Sequence, residues 1–191
     1  MKILLGSQSP RRRELLSGID VPFTAITINA QEDYPPFLQE GSIPEYIARE
    51  KAEAYLPNLE PDALLITADT IVWSEHSMLG KPKDSDEAKA MLRALSGKTH
   101  QVYSAVCFTR LIDGAPHMDS FVDRADVTFR PLTEEEINYY VTRYHPLDKA
   151  GAYGIQEYIG YIGVTALHGS YFTVMGFPIE RVYEYLQQLN Q

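Results

Sequence analysis

Two β-rich runs, residues 99–109 and 119–129, flank Asp113-Gly114-Ala115-Pro116. An Asp-Gly step between alternating apolar segments is a hairpin signal. A hairpin this long needs a sheet to lie in, and the rest of the chain must supply it. Elsewhere short apolar runs alternate with helical patterns. Residues 2–5 predict a strand, and Pro10 in a first helical turn opens a helix that Gly18 stops. Residues 23–28 alternate and predict a strand. Ser42-Ile43-Pro44-Glu45 has the form of a capping box, opening a helix to Leu56. Residues 63–67 predict a buried strand that can continue through Ile71-Val72-Trp73. Ser74-Glu75-His76-Ser77 is turn chemistry. Helices are expected over 84–95, stopped by Gly97, and over 133–144, opened by Thr133-Glu134-Glu135-Glu136. The last helix, over 178–189, has Val182, Tyr185, Leu186 and Leu189 on one stripe. Residues 147–163, rich in Gly and Tyr, show no clear period. An interrupted strand–helix alternation predicts an α/β fold, a mixed sheet flanked by helices, not a purely parallel one.

The 191 residues fit one domain, or one domain with two lobes, and suffice for a core without disulfides. Apolar residues make up 45% and charged residues 23%, which excludes disorder. Lys plus Arg number 17 against 26 Asp plus Glu, a formal charge of -9. That balance argues against coating nucleic acid or binding anionic membranes. It leaves room for a small phosphorylated ligand in a local basic pocket. The first 13 residues hold Lys2, Arg11, Arg12 and Arg13 and no acid. The single cysteine, Cys107, lies in an apolar run and reads as buried and inert. No stretch approaches the roughly 20 apolar residues of a membrane span, and the N-terminal apolar run is too short for a signal peptide. A cytoplasmic location is the expectation.

Four constellations could carry chemistry. Gly6-Ser7-Gln8-Ser9-Pro10-Arg11-Arg12-Arg13 leaves a strand and opens a helix. Helix N-termini favour anions, and guanidiniums match phosphate oxygens. Arg here opposes the helix dipole, so stability alone does not explain three in a row. The alternative is a solvated basic face. Asp69, in Ala68-Asp69-Thr70, closes a buried apolar run. It can hold a divalent cation, take a proton from water, or simply form a turn. Lys51 and Lys81, the latter stiffened by Pro82, suit a ligand with several phosphates, although each alone reads as a surface lysine. Gln31-Glu32-Asp33 offers oxygens to a hard cation, or is a solvated acidic loop. His76, His100, His117, His145 and His168 show no metal-ligand spacing.

In order, these segments resemble the Maf family of nucleotide pyrophosphatases. Ser7-Gln8-Ser9-Pro10-Arg11-Arg12-Arg13-Glu14-Leu15-Leu16 is similar to the family's N-terminal signature. Ala48-Arg49-Glu50-Lys51-Ala52, Ala68-Asp69-Thr70, Gly80-Lys81-Pro82 and Leu95-Ser96-Gly97 follow in family order. Lys149-Ala150-Gly151-Ala152-Tyr153-Gly154-Ile155-Gln156, Gly169-Ser170 and Gly176-Phe177-Pro178 complete it. Thr173 stands where the family usually has Asn, and Gln31 where an acid is common.

The resemblance implies a twisted mixed sheet in two lobes with a central cleft, like that of the inosine-triphosphate pyrophosphatases. It implies hydrolysis of nucleoside triphosphates to monophosphate and pyrophosphate with Mg²⁺ or Mn²⁺. Members are often dimers, so a homodimer is one assembly to expect. Arg11, Thr70 and Gln156 match the branch acting on dTTP and UTP, with modified pyrimidine nucleotides as further candidates. The 7-methyl-GTP branch carries an aromatic, Gln and Glu there. On this reading Ser7, Arg11, Arg12, Lys51 and Lys81 hold the phosphates and Glu32 and Asp69 the metal. Asp69 is catalytic as base, ligand or both, and Thr70 and Gln156 read the base. A nucleotide-binding regulator of septum formation with little turnover is the alternative. The Asp-x-Asp and Cys-x5-Arg motifs of other phosphate hydrolases are absent.

Overall fold

The computed structural model describes residues 1–189. Seven strands form a mixed sheet with hydrogen-bonded order β2-β1-β3-β5-β6-β7 and β4 beside β3. The strands are β1 Lys2–Gly6, β2 Thr24–Ile26, β3 Ala63–Ser74, β4 Ser77–Leu79, β5 Thr99–Ile112, β6 Ala115–Phe129 and β7 Val164–His168. The helices are α1 Pro10–Ser17, α2 Ser42–Tyr55, α3 Ser85–Leu95, α4 Glu134–Tyr144, α5 Tyr158–Gly163, α6 Tyr171–Met175 and α7 Ile179–Leu189. β1 pairs in parallel with β2 and β3, whereas β3–β4 and β6–β7 are antiparallel. The mixed sheet expected from the interrupted alternation is present.

The chain divides into two compact units. One comprises residues 1–69, 104–123 and 176–191, the other residues 70–103 and 124–175. In the first, strand alternation builds two apolar clusters. Leu5, Leu64, Ile66, Val106 and Phe108 join Leu16 of α1 and Val182 and Leu186 of α7. Leu4, Ala63, Leu65, Ala105 and Cys107 join Ala48 and Ala52 of α2. Successive side chains thus feed alternate faces, so the strands read as continuous apolar runs. Cys107 is buried as expected, and burial raises its thiol pKa.

The second unit has one core, in which Val102, Val127 and Phe129 pack with Leu92 and Leu95 of α3 and Ile137 and Tyr140 of α4. Asp84 caps α3 by accepting from the Glu87 N–H at 2.8 Å. Thr133 and Glu136 close the capping box of α4. Ser42 does not cap α2: Gly41 holds that position, and the Ser42 hydroxyl donates to the Gln39 carbonyl. The competing local turn takes the hydroxyl that the box pattern assigned to the helix. β2 is shorter than the run 23–28, and β4, β7, α5 and α6 fall in segments without a marked period. Glu75 and His76 adopt left-handed φ of 48° and 66° in the β3–β4 turn, as Asp113 and Gly114 do (52° and 79°) between β5 and β6.

His100 on β5 is fully buried, with Nε2 2.7 Å from the Tyr153 hydroxyl and Nδ1 without a partner among the described residues. Burial pushes its imidazole down from 6.5 to about 4. Unfolded, the ring binds its proton below pH 6.5; folded, it stays neutral to about 4. The associated stability is present above pH 6.5 and is lost as pH falls to about 4, by about 3 kcal/mol at most. Urea unfolding of the parent and of His100→Gln tests this. The parent's advantage is expected to shrink from pH 7 to pH 4.5, and a constant difference contradicts it.

Candidate active site

β1 ends at Gly6, opposite Thr67, and β3 runs on beyond that point. Asp69 lies inside its strand and not at its end, because β3 continues to Ser74, through the Ile71-Val72-Trp73 run that the sequence offered as its extension. It lies two residues beyond the carboxyl end of its parallel neighbour. Asp69 shares the face of Leu65 and Thr67, which α2 covers through Ala48 and Ala52. Those small residues allow close approach, and the Thr67 hydroxyl donates to the Ala48 carbonyl at 2.6 Å. Lys51, three residues along that helix, then meets Asp69. Its Nζ lies 2.7 Å from Asp69 Oδ1 and 2.8 Å from Glu32 Oε1. Lys51 and Asp69 are almost buried, with side chains 13% and 12% exposed, while Glu32 is half exposed at 47%.

The N-terminal loop adds a second cation. Arg12 Nε donates to the Gly176 carbonyl at 2.9 Å, and Nη1 donates to the Ala68 carbonyl at 2.9 Å and to Ser7 Oγ at 3.4 Å. These bonds fix the guanidinium next to the residue preceding Asp69. Burial lowers the Arg12 pKa, with Asp69 acting the other way. Arg13 donates through Nη2 to the Ser7 carbonyl at 3.1 Å, so it braces the loop. Ser7 is buried, and its Oγ accepts from the Ser9 N–H at 3.2 Å. Arg11 is half-buried on α1. Burial raises the Asp69 pKa, while the positive charges of Lys51 and Arg12 restrain the rise. A carboxylate displaced in that direction is a better proton acceptor near neutral pH.

Glu32 and Asp69 are two carboxylates that could offer oxygens to a hard cation. No group of three or more His, Cys, Asp or Glu converges among the described residues. The two carboxylates nevertheless meet on a single cationic Nζ. Two carboxylates suit Mg²⁺ or Mn²⁺ that takes its remaining oxygens from phosphates and water. The donor set fits an ion that arrives with a phosphorylated substrate better than a protein-enclosed site.

In the second unit, the Gly151 N–H donates to the Gly80 carbonyl at 3.1 Å, tying the Lys81 loop to residues 149–156. Gly151 has φ 67°, and a Cβ there would lie 2.8 Å from Val72 Cγ2. Only glycine allows both that backbone and that approach. Thr70 follows Asp69 on β3 and is half-buried, and Pro82 beside Lys81 is buried. The Gln156 Oε1 is buried without a hydrogen-bond partner among the described residues. Sequence reasoning missed Lys149, Glu157 and Tyr140. Lys149 Nζ lies 2.8 Å from Asp148 Oδ1 and 3.2 Å from Glu157 Oε1. Tyr140 donates to Glu157 Oε2. Lys149 stands in the motif run and could have been singled out as a cation there. Tyr140 has the spacing of a core residue, and nothing local marks its hydroxyl.

The family model described as Maf-like protein matches residues 2–189. A dTTP/UTP pyrophosphatase of Bacteroides thetaiotaomicron is 51% identical over 98% of this chain and 96% of its own. One of Phocaeicola vulgatus is 52% identical over the same shares, and one of Porphyromonas gingivalis 48% identical over 100% and 95%. Among solved structures, the Ham1 protein of Staphylococcus aureus aligns with TM-score 0.46 and 13% identity over 67% of this chain and 72% of that one. The chain belongs to the Maf family, as its ordered motifs suggested. No helix among the described residues is long and apolar enough to cross a membrane.

Lys51 is the group on which the first unit's charges balance. Lys51→Met leaves buried Asp69 without its nearest cation and is expected to lower stability by roughly 3 kcal/mol. Glu32→Gln removes a half-exposed partner and should cost less than about 1 kcal/mol. Urea denaturation at neutral pH measures both, and equal losses would contradict the assignment.

Proposed function

We propose that this chain, as a Maf-family member, is a cytoplasmic nucleoside triphosphate pyrophosphatase that hydrolyses dTTP and UTP to the monophosphate and pyrophosphate. The observation that carries the chemistry is the pair of carboxylates, Asp69 and Glu32, converging on Lys51 beside Arg12. The names of the relatives, all dTTP/UTP pyrophosphatases, support the substrate. Arg11, Thr70 and Gln156 are the residues that match that branch.

Ser7, Arg11, Arg12 and Lys51 bind phosphate oxygens, and so does Lys81. Arg12 is held by backbone carbonyls before substrate arrives, so little ordering remains to be done on binding. Glu32 and Asp69 would hold a divalent ion, which would supply charge to polarise phosphate oxygens there. Asp69 orients water at the α-phosphorus and accepts its proton. Burial raises its pKa, and the nearby Lys51 opposes that rise and favours the carboxylate form that accepts the proton. The oxygen bridging the α- and β-phosphorus leaves with pyrophosphate, and Lys51 and Arg12 meet its growing charge.

Gln156 reads the base. Its unpartnered Oε1 is a buried acceptor, costly to leave so, and the N3–H of uracil or thymine is a donor of the right kind. The amide nitrogen can then donate to a base carbonyl. Thr70 supports the same recognition. The overall charge of -9 disfavours polyanions but not one metal-complexed triphosphate.

Product analysis after incubation with dTTP and Mg²⁺ tests the reaction. Thymidine monophosphate and pyrophosphate are expected; the diphosphate with orthophosphate would refute attack at the α-phosphorus. Asp69→Asn should lower kcat by about 10²–10⁴-fold while nucleotide binding persists. Full activity in that variant would remove Asp69 from its proposed role, and binding without turnover in the parent would favour a regulatory protein.

A further inference from the structure

We infer that Tyr140 is a positioning residue that locks the Gln156 turn and thereby sets discrimination between uracil-type and cytosine-type bases. The inference rests on the reading of Gln156 as the base reader. Gly154, Ile155, Gln156 and Glu157 form a tight turn closed by the Glu157 N–H donating to the Gly154 carbonyl at 3.0 Å. The hydroxyl of Tyr140, a fully buried residue on α4, engages both ends of that turn. It accepts from the Gly154 N–H at 3.0 Å and donates to Glu157 Oε2. The other carboxylate oxygen of Glu157 lies 3.2 Å from Lys149 Nζ. Burial and the Glu157 carboxylate raise the Tyr140 pKa, so the hydroxyl remains a donor. The turn is also tightly packed: a Cβ on Gly154 would lie 3.0 Å from Glu157 Cδ and 3.1 Å from Lys149 Cε. Ile155 is buried in the core beneath.

An amide is an ambiguous reader. Turned one way it accepts from N3–H and donates to a carbonyl, as uracil and thymine require. Turned the other way it donates to N3 and accepts from an amino group, as cytosine requires. A Gln on a loose loop can serve either edge. Selectivity therefore needs the amide held in one placement, so that the wrong base leaves buried polar groups unpaired. A hydroxyl that bonds the residues on both sides of Gln156 supplies that restraint without touching the base.

Tyr140→Phe keeps the ring and removes both bonds. Steady-state kinetics with dTTP and dCTP should show the ratio of kcat/KM falling about tenfold toward dCTP, with KM for dTTP rising and its kcat little changed. Glu157→Ala, which removes one of the two bonds, should move the ratio the same way by less. A merely structural tyrosine would lower both activities alike and leave the ratio untouched, whatever the loss of thermal stability. Gln156→Ala separates the two readings. If it abolishes the preference and Tyr140→Phe retains it, the positioning role is overturned. If Gln156→Ala itself retains the preference, the base-reader assignment fails first.

Discussion

The Lys51 ammonium joins two carboxylates that would otherwise repel each other. Asp69 is nearly buried on a central strand, and an isolated carboxylate there would be driven toward its neutral form. Lys51 at 2.7 Å and the tethered Arg12 oppose that drive. The residues around them serve that placement. Ala48 and Ala52 bring α2 against β3, and the Thr67 hydroxyl pins the helix backbone. The loop after β1 turns back through Ser7 so that Arg12 reaches the Ala68 carbonyl. The packing of α2 on β3 thus places Lys51, and the loop after β1 places Arg12, near the same carboxylate.

The second unit uses different physics. Its Gly-rich loop is held by glycine-dependent approach, by the Tyr140 hydroxyl and by the Lys149–Glu157 ion pair. Gly151 lets the loop run against Val72, and Tyr140 bonds the two ends of the Gln156 turn. Charge handles phosphates, which every nucleotide shares. A fixed donor–acceptor order handles bases, which differ only in that order. On the proposed reading, Gln156 on its bonded turn would keep those two tasks chemically distinct.

The mixed sheet and α1, α3, α4 and α7 were legible because periodicity, caps and turn residues agree locally. Asp84, Thr133 and the Asp113-Gly114 step each act where their chemistry predicts. Ser42 was misread because its hydroxyl has a nearer carbonyl to bond. Asp69 was legible as a candidate, but its position two residues past the end of the neighbouring strand depends on where β1 stops, which is a tertiary fact. The segment 147–163 gave no period because it is a sequence of turns, a 3₁₀ turn at Ala150–Ala152 and the short helix α5. The bonds of the Tyr140 hydroxyl were not legible in the sequence, since its ring obeys the core pattern and only the fold reveals what its hydroxyl meets.

Asp69 is proposed to direct water to the α-phosphorus of a pyrimidine triphosphate. Turnover of dTTP in ¹⁸O-enriched water followed by mass spectrometry of both products tests it most directly. One ¹⁸O atom is expected in thymidine monophosphate and none in pyrophosphate. Label in pyrophosphate, with an unlabelled monophosphate, would place attack at the β-phosphorus and contradict the geometry assigned to Asp69.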